Sequence, residues 1–283
     1  MNTNRLLLCT DLDRTLLPNG PQPESPQARA RFAALAARPE IDLVYVTGRD
    51  QARVREAIAS YQLPQPDYVI ADVGTSIYRN EADTWHPLAA WQAEIARDWH
   101  GISGPEIRVL LRDLASLQAQ EDSKQGLFKL SYYVPLQTDK TKLLSTVNAL
   151  LQQHGIRANL IWSIDEPAGT GLLDILPASA TKYHALDFLR RQTAHAVTHT
   201  LFAGDSGNDL DILSSEIPAV LVANASAEVE QDARTAATTR GHAARLYVAK
   251  GGFLGMNGNY SAGILEGFVH YFPHLAHWLS PQD

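Results

Sequence analysis

The sequence predicts an α/β fold in two parts: a parallel sheet covered on both faces by helices, and a smaller α/β module inserted within it. Three observations carry this. Short apolar runs alternate with helical segments from Leu6 to Ala71 and again from Ser179 onward. Between those stretches the rhythm changes to polar-rich helical segments and a strand of alternating polarity. Finally, three polar clusters (Asp11 with Asp13, Thr47-Gly48-Arg49, and Gly204-Asp205) each follow directly on an apolar run. Open parallel sheets bind ligands at that address, outside the carboxyl ends of their strands.

The elements follow in order. Leu6 to Cys9 is apolar throughout, so Leu6 to Thr10 reads as a strand buried on both faces. Ser25-Pro26 is a helix start, a cap residue with proline at the first helical position, and Ala28 to Arg38 carries that helix to Pro39. Leu43 to Val46 is the next strand, Gln51 to Tyr61 the next helix, and Tyr68 to Ala71 the third strand. This β-α-β-α-β order implies parallel pairing. Gly74 to Tyr78 is a turn into a short strand, and helices follow over about Leu88 to Trp99 and Pro105 to Gln120. Phe128 to Val134 alternates Lys129, Ser131 and Tyr133 against Leu130, Tyr132 and Val134, the period of a strand. Leu143 to His154 is an amphipathic helix ended by Gly155, and Ile156 to Ile164 and Leu172 to Leu176 are strands. The expected domains are residues 1–80 with 172–283 as the core, and 81–171 as the insertion.

From Ser179 the parallel rhythm resumes. A helix over Thr181 to Arg191 leads to the strand Thr198 to Ala203, and another helix follows Asp209. The strand Ala219 to Val222, a helix near Ala227 to Ala236, the strand Leu246 to Ala249 and a last helix over Ser261 to Tyr271 complete the chain. The glycine-rich run Lys250 to Gly255 is expected to be a mobile connection.

Composition narrows the function. The chain has 283 residues, 45% of them hydrophobic and 19% charged, enough to bury a sizeable core. A net charge of -7 argues against nucleic acid, which needs clustered Lys and Arg to replace its counterions. No apolar run approaches the length of a membrane span, and the N-terminus carries no signal-like stretch. The lone Cys9 lies in the first apolar run, where it is a small core residue with no partner for an intrachain disulfide. A soluble protein of a reducing, cytoplasmic compartment is the expectation. An acidic surface also repels a phosphorylated substrate, so such a site needs cations of its own.

The polar clusters supply chemistry. Asp11 is the candidate nucleophile, since a carboxylate needs no base and an acyl phosphate splits one hard step into two easier ones. Asp13 is the candidate acid and base, protonating the leaving alkoxide and then activating water. The bland alternative for this string alone is a turn in which both aspartates cap backbone amides. Asp205 and Asp209 bracket a glycine-containing turn into a helix; they either help Asp11 hold Mg²⁺ or serve as an acidic helix cap. Thr47-Gly48-Arg49 offers a hydroxyl, backbone N–H groups and close approach to a phosphate, though alone it is equally a plain strand-to-helix turn.

In order and spacing, Asp11-Leu12-Asp13-Arg14-Thr15, Val46-Thr47-Gly48-Arg49, Lys182 and Gly204-Asp205-Ser206-Gly207-Asn208-Asp209 resemble the four motifs of haloacid-dehalogenase-superfamily phosphatases. The inserted module is similar to their type-C2 cap. More narrowly, Asp72-Val73-Gly74-Thr75-Ser76-Ile77-Tyr78, Phe128-Lys129-Leu130-Ser131-Tyr132 and Ser261-Ala262-Gly263-Ile264-Leu265-Glu266 resemble the sucrose-phosphate phosphatase family. The resemblance implies a Rossmann-like parallel-sheet core with an inserted smaller α/β cap domain, a phosphoaspartyl mechanism, and Mg²⁺ as cofactor. By motif match Asp13 also lends the metal its backbone carbonyl, and Asp209 is a ligand or the partner of one. Asn208 and Thr47 then contact phosphate, and Lys182, otherwise an ordinary lysine, is the fixed positive charge. The cap supplies the sugar contacts, with Lys129 the candidate. The sequence departs from the family at Asp165-Glu166-Pro167-Ala168-Gly169-Thr170, a longer and more acidic cap loop than the resemblance leads one to expect.

The expected activity is Mg²⁺-dependent hydrolysis of a phosphorylated sugar, sucrose 6-phosphate first. A related glycosyl phosphate such as mannosylfructose phosphate or glucosylglycerol phosphate is the alternative. A catalytically idle sugar-phosphate-binding module, docking a glycosyl-transferring synthase, is the rival from another class. The histidines His195, His199, His270, His274 and His277 lack zinc-like spacing and are expected at the surface. Trp85, Trp91 and Trp99, and the aromatic tail from Phe268 to Trp278, are expected to be core packing.

Overall fold

The structure, a computed structural model, describes residues 5–279. They form two compact units: one runs from the start of the described residues to Pro87 and resumes at Lys182, and the other is Leu88–Thr181.

The first unit begins with β1 (Leu6–Thr10), α1 (Ala28–Ala36), β2 (Ile41–Val46), α2 (Gln51–Tyr61) and β3 (Tyr68–Ala71). All of β1 is buried, as its unbroken apolar run requires. The expected cap at Ser25-Pro26 is not formed. Helix α1 starts at Ala28 behind Gln27, whose φ is 62°, while the Ser25 hydroxyl instead accepts from the Asn257 amide at 2.9 Å. Two antiparallel strands follow, β4 (Ser76–Glu81) and β5 (Thr84–Pro87), turned at Ala82 and Asp83. Strand β5 pairs with β4 and buries Trp85, over which the Arg55 guanidinium sits at 4.3 Å. This pairing carries the first unit to Pro87 rather than to residue 80.

The second unit has its own core. Helix α3 (Ala89–Ile95) runs into a tighter turn over Ala96–Trp99, and α4 (Gly104–Leu111) opens on a reciprocal cap between Ser103 and Glu106. Strands β6 (Gln118–Ala119) and β7 (Leu130–Pro135), helix α5 (Lys140–Gln153) and strands β8 (Ala158–Asp165) and β9 (Thr170–Pro177) follow. The sheet is antiparallel, ordered β6-β7-β9-β8. Leu130, Tyr132, Val134, Leu173 and Ile175 pack on Ile107, Leu111, Val147 and Leu151 from the helices. Helix α4 ends at Leu111, short of the expected Gln120, because Gln118–Ala119 pairs with β7 instead. Strand β9 belongs to this sheet, paired with both β7 and β8, so the boundary falls after Thr181 and not at residue 171. Buried Asp98 closes the unit: it pairs with Arg157 and accepts from the Ser179 amide at 2.6 Å.

The first unit resumes with α6 (Lys182–Gln192), β10 (Thr200–Gly204), α7 (Leu210–Leu213), β11 (Ala219–Leu221), α8 (Ala227–Thr239), β12 (Leu246–Val248) and α9 (Ser261–Tyr271). Its sheet is ordered β12-β11-β10-β1-β2-β3-β4-β5, parallel through β3 and antiparallel at β4 and β5. The chain builds outward from β1 to one side through β2 and β3, then returns to the other side through β10. That reversal places the topological switch at β1/β10. Helix α9 lies close on β11: a Cβ at Gly267 would meet Val220 Cγ2 at 2.1 Å, so only glycine fits. Phe268, Phe272 and Trp278 join Leu6, Leu8 and Phe32 in one core cluster, the packing role expected of the aromatic tail. Truncating a fully buried leucine such as Leu8 in this cluster would cost about 2–5 kcal/mol.

Two further expectations change. The run Lys250–Gly255 is anchored rather than loose: the Glu266 carboxylate accepts from the amides of Lys250 and Gly251 at 2.8 and 2.9 Å, and from the Tyr247 hydroxyl at 2.7 Å. His195 is buried rather than at the surface, with Nε2 3.1 Å from Asp42 and Nδ1 2.8 Å from Thr193. No helix among the described residues is long and apolar enough to cross a membrane.

Candidate active site

Strand register brings the polar clusters together. Thr10 of β1 lies opposite Ala203 of β10 on one side and Tyr45 of β2 on the other. The residues that follow these three positions (Asp11, Gly204-Asp205 and Val46-Thr47) therefore leave the sheet side by side. Asp11 still extends the ladder, its amide donating to Ala203 at 2.9 Å. Sequence placed each cluster after a strand; the parallel pairing makes them neighbours.

Asp11, Asp205 and Asp209 are buried, and each offers an oxygen within 4.8 Å of the others. Lys182, buried at the start of α6, donates from Nζ to Asp11 Oδ1 at 3.0 Å, to Asp209 Oδ1 at 2.8 Å and to Asn208 Oδ1 at 2.8 Å. Asp209 is fully engaged, since its Oδ2 also accepts from the amides of Asp205 and Ser206 at 3.3 and 3.4 Å. Gly204 makes this possible: a Cβ there would meet Asp209 Oδ2 at 2.6 Å. Thr15 donates to Asp205 Oδ1 at 3.3 Å, and Arg14 Nε stands 3.4 Å from Asp205 Oδ2.

Crowding these groups in the interior shifts their protonation. Burial pushes the Asp11 carboxyl up to about 7, against the pull of Lys182 and with repulsion from Asp209 adding to it. Burial, then repulsion from Asp209, pushes Asp205 up to about 6. Burial works against the charge of Lys182, but Asp11 and Asp209 outweigh it and hold the ammonium well above its usual range. Burial also works to raise Asp13, yet the hydrogen bonds from Arg49 and Asn19 win and lower it.

Asp13 stands apart from the buried cluster. Its half-exposed carboxylate accepts from Arg49 Nε and Nη2 at 2.8 and 2.6 Å and from Asn19 Nδ2 at 2.7 Å. Thr47 is buried, and its hydroxyl oxygen accepts from the Arg49 amide at 3.2 Å, bracing the turn. Helix α2 begins after Asp50, whose side chain takes the Arg53 amide, so that N–H is already used. Lys129 lies in the second unit, directly before β7, partly buried, its carbonyl accepting from Gly126.

A cavity of about 300 Å³ opens over Asp11, Asp13 and Asp205, with Arg14, Arg49 and Arg53 on its wall and Gly48, Ser206 and Asn208 completing it. A Cβ at Gly48 would meet only Val73, at 3.8 Å, so the room the glycine leaves belongs to the cavity. Arg14 and Thr15 fall within the Asp11–Thr15 motif but carry no predicted role, and Arg53 is not singled out from sequence. Arg53 lies in the first turn of α2, just past the Thr47-Gly48-Arg49 cluster. Asn224, which donates to the Arg14 carbonyl at 2.6 Å, carries no sequence signal at all.

The donor set is carboxylate oxygens only, which suits a hard cation such as Mg²⁺ rather than zinc. Among the described residues this is the cluster that could hold a metal, and the histidines form none.

The profile of the sucrose-6F-phosphate phosphohydrolase family matches residues 4–272. The chain belongs to this family. It is thereby a haloacid-dehalogenase-superfamily phosphatase, a phosphoric monoester hydrolase, with the α/β core and separate antiparallel sheet of that fold. A HAD-like hydrolase of Nitrosococcus oceani is 50% identical over 97% of this chain and 74% of its own length. A glucosylglycerol-phosphate synthase of Pseudomonas anguilliseptica is 30% identical over 94% of this chain but only 31% of its own length. The sucrose-phosphatase of Synechocystis, solved with sucrose and phosphate, superposes with a TM-score of 0.69 at 25% identity, covering 95% of this chain and 98% of that one. The chain spans about half the length of the plant sucrose-phosphatases it matches, 52% in tobacco.

Proposed function

We propose that this family member is a Mg²⁺-dependent phosphatase that hydrolyses a phosphorylated disaccharide, sucrose 6-phosphate, through a phosphoaspartyl intermediate on Asp11. One observation carries the reading: a buried carboxylate, Asp11, faces a cavity walled by Arg14, Arg49 and Arg53, beside a second carboxylate, Asp205, and against a buried lysine.

Asp11 and Asp205, with the Asp13 carbonyl, would hold the ion, while Asp209 braces the loop that presents Asp205. Bound there, Mg²⁺ supplies charge that offsets the repulsion between a carboxylate nucleophile and a phosphate dianion. With Oδ1 held by Lys182, Oδ2 of Asp11 is the oxygen we assign to attack. The new bond runs from that oxygen to phosphorus, the bond from phosphorus to the sugar oxygen breaks, and Asp13 gives the leaving alkoxide a proton. In the second step Asp13 takes a proton from water, the water oxygen attacks phosphorus, and the bond to Asp11 breaks to release phosphate. Arg49 keeps Asp13 ionised, the form the second step needs; in the first step Asp13 carries the proton on one oxygen while Arg49 still orients it through the other. Arg49, Arg14 and Arg53 give an acidic protein the local cations a phosphate requires. Residues 88–181 act in this reading as the cap that selects the sugar, with Lys129 a contact. A cytoplasmic location completes it.

A second reading keeps the chemistry and changes the sugar. The likeness to a glucosylglycerol-phosphate synthase favours a smaller glycosyl phosphate, and a synthase as the partner that supplies it. The test is phosphate release, with and without Mg²⁺, from sucrose 6-phosphate, mannosylfructose phosphate, glucosylglycerol phosphate and simple hexose phosphates. A preference for sucrose 6-phosphate of about a hundredfold, roughly 2.7 kcal/mol of discrimination, is expected. The same preference for another glycosyl phosphate selects the second reading. Asp11→Asn is expected to abolish turnover, and loss of less than about tenfold would remove Asp11 as the nucleophile.

A further inference from the structure

Each carboxylate of the site has a cation assigned to it. Lys182 serves Asp11 and Asp209, Arg49 serves Asp13, and Arg14 serves Asp205. Three cations against four carboxylates leave the site close to neutral but still negative, and a divalent ion turns it positive. Arg14 differs from the other two cations. Lys182 is buried and Arg49 grips its partner with two nitrogens, whereas Arg14 is 44% exposed and approaches Asp205 through Nε alone. It is the cation with somewhere to go.

Its placement is nevertheless built. Arg14 takes a left-handed backbone, φ 59°, which a side chain adopts only at a cost. Side chains hold both sides of that residue: Asn19 Oδ1 accepts from its amide at 2.8 Å, and Asn224 Nδ2 donates to its carbonyl at 2.6 Å. Arg14 Nη2 donates in turn to the Asn224 carbonyl at 3.3 Å. The result aims the guanidinium across Asp205 Oδ2, while Thr15 takes Oδ1. One oxygen of the carboxylate thus accepts from Thr15 and the other is faced by the guanidinium. An ion such as Mg²⁺, which demands oxygens at about 2.1 Å and near-ideal geometry, must bring its charge to an oxygen the guanidinium already faces.

We propose that Arg14 is a built-in counter-cation for Asp205, one that a divalent cation must push aside to bind, so that Arg14 sets how tightly the metal is held. The inference rests on the Mg²⁺ reading above. Displaced, the guanidinium stays on the wall of the phosphate cavity, where its charge faces the substrate rather than the protein's own carboxylate.

The test is calorimetric titration of Mg²⁺, at low ionic strength and without substrate, into the wild type, Arg14→Asn, Arg14→Met, Arg14→Lys and Asp205→Asn, each melted beforehand to confirm folding. Asparagine tolerates the left-handed backbone, methionine keeps the side-chain stem, and lysine keeps the charge. The two neutral variants are expected to bind Mg²⁺ about fivefold or more tightly than the wild type, Arg14→Lys within about twofold of it, and Asp205→Asn at least about tenfold more weakly. Neutral variants that bind no more tightly than the wild type, with Asp205→Asn still weakened, overturn the counter-cation and leave the metal site standing. A wild type and Asp205→Asn that bind alike overturn the metal reading and the proposal with it.

Discussion

Arg49 holds Asp13 with two nitrogens, Nε at 2.8 Å and Nη2 at 2.6 Å. A planar fork on a carboxylate fixes direction as well as charge, and a lysine cannot reproduce it. The pairing holds Asp13 ionised and aims it across the cavity. Arg49→Lys keeps the charge but frees the Asp13 carboxylate to swing. Since positioned acid–base catalysis contributes about 10²-fold or more, kcat/KM is expected to fall by about that factor. Steady-state kinetics on the preferred sugar phosphate decide it; a loss below about threefold would show that the fork does no more than a point charge.

Lys182 bridges two buried carboxylates, Asp11 and Asp209, at 3.0 and 2.8 Å. Removing one member of a buried ion cluster leaves the others facing each other without compensation, at a cost of about 3–5 kcal/mol. Lys182→Ala is therefore expected to lower the melting temperature by several degrees and to abolish turnover. Mg²⁺ should restore part of the lost stability, because the ion replaces some of the missing positive charge. A variant whose melting temperature matches the wild type in the absence of metal would contradict this account.

The sequence carried the strands well wherever burial on both faces dictated them. Gln51–Tyr61, Tyr68–Ala71 and Ser261–Tyr271 lie where periodicity and composition put them. It failed where strand pairing decided which sheet a segment joins. Strand β5 joins the large sheet through β4, and β9 joins the small one through β7 and β8, so both unit boundaries moved by several residues. Composition read Lys250–Gly255 as loose, yet a glutamate sixteen positions past Lys250 ties it down. At the site, Asp11, Asp205 and Lys182 were legible as motifs. Asn224 and Asn19 were not, because an asparagine that satisfies someone else's backbone has no spacing rule.

Gly204 leaves β10 against the side chain of Asp209, where a Cβ would meet Oδ2 at 2.6 Å and Cγ at 2.8 Å. Gly204→Ala must therefore push Asp209 off the amides of Asp205 and Ser206. Overpacking of this kind costs about 1–3 kcal/mol, and here it also disturbs the loop that presents Asp205. The variant is expected to melt lower than the wild type and to bind Mg²⁺ at least about tenfold more weakly. Thermal melts and calorimetry on the same preparation separate the two effects. Unchanged metal affinity in a destabilised protein would mean that Asp205 keeps its place without Asp209.

Asn224 joins two parts of the first unit that are far apart in sequence. Its Oδ1 accepts from the Tyr260 amide at 2.8 Å while its Nδ2 donates to the Arg14 carbonyl at 2.6 Å. The bond from Tyr260 is buried, the bond to Arg14 part-buried, and Asn224 itself is 3% exposed. Asn224→Ala leaves a buried donor unsatisfied, at about 1–3 kcal/mol, and a part-buried acceptor at less, and it frees the strained Arg14 backbone to relax. Stability is expected to fall by about 2–4 kcal/mol, with kcat/KM down by about tenfold or more because Asp13 and Thr15 sit on either side of the released residue. Asn224→Asp separates these effects: it keeps the acceptor for Tyr260 but sets a carboxylate oxygen against the Arg14 carbonyl. If Arg14 is what the asparagine secures, the aspartate variant loses activity as far as the alanine variant does. Activity near the wild-type level in Asn224→Asp would assign the residue to the Tyr260 contact alone.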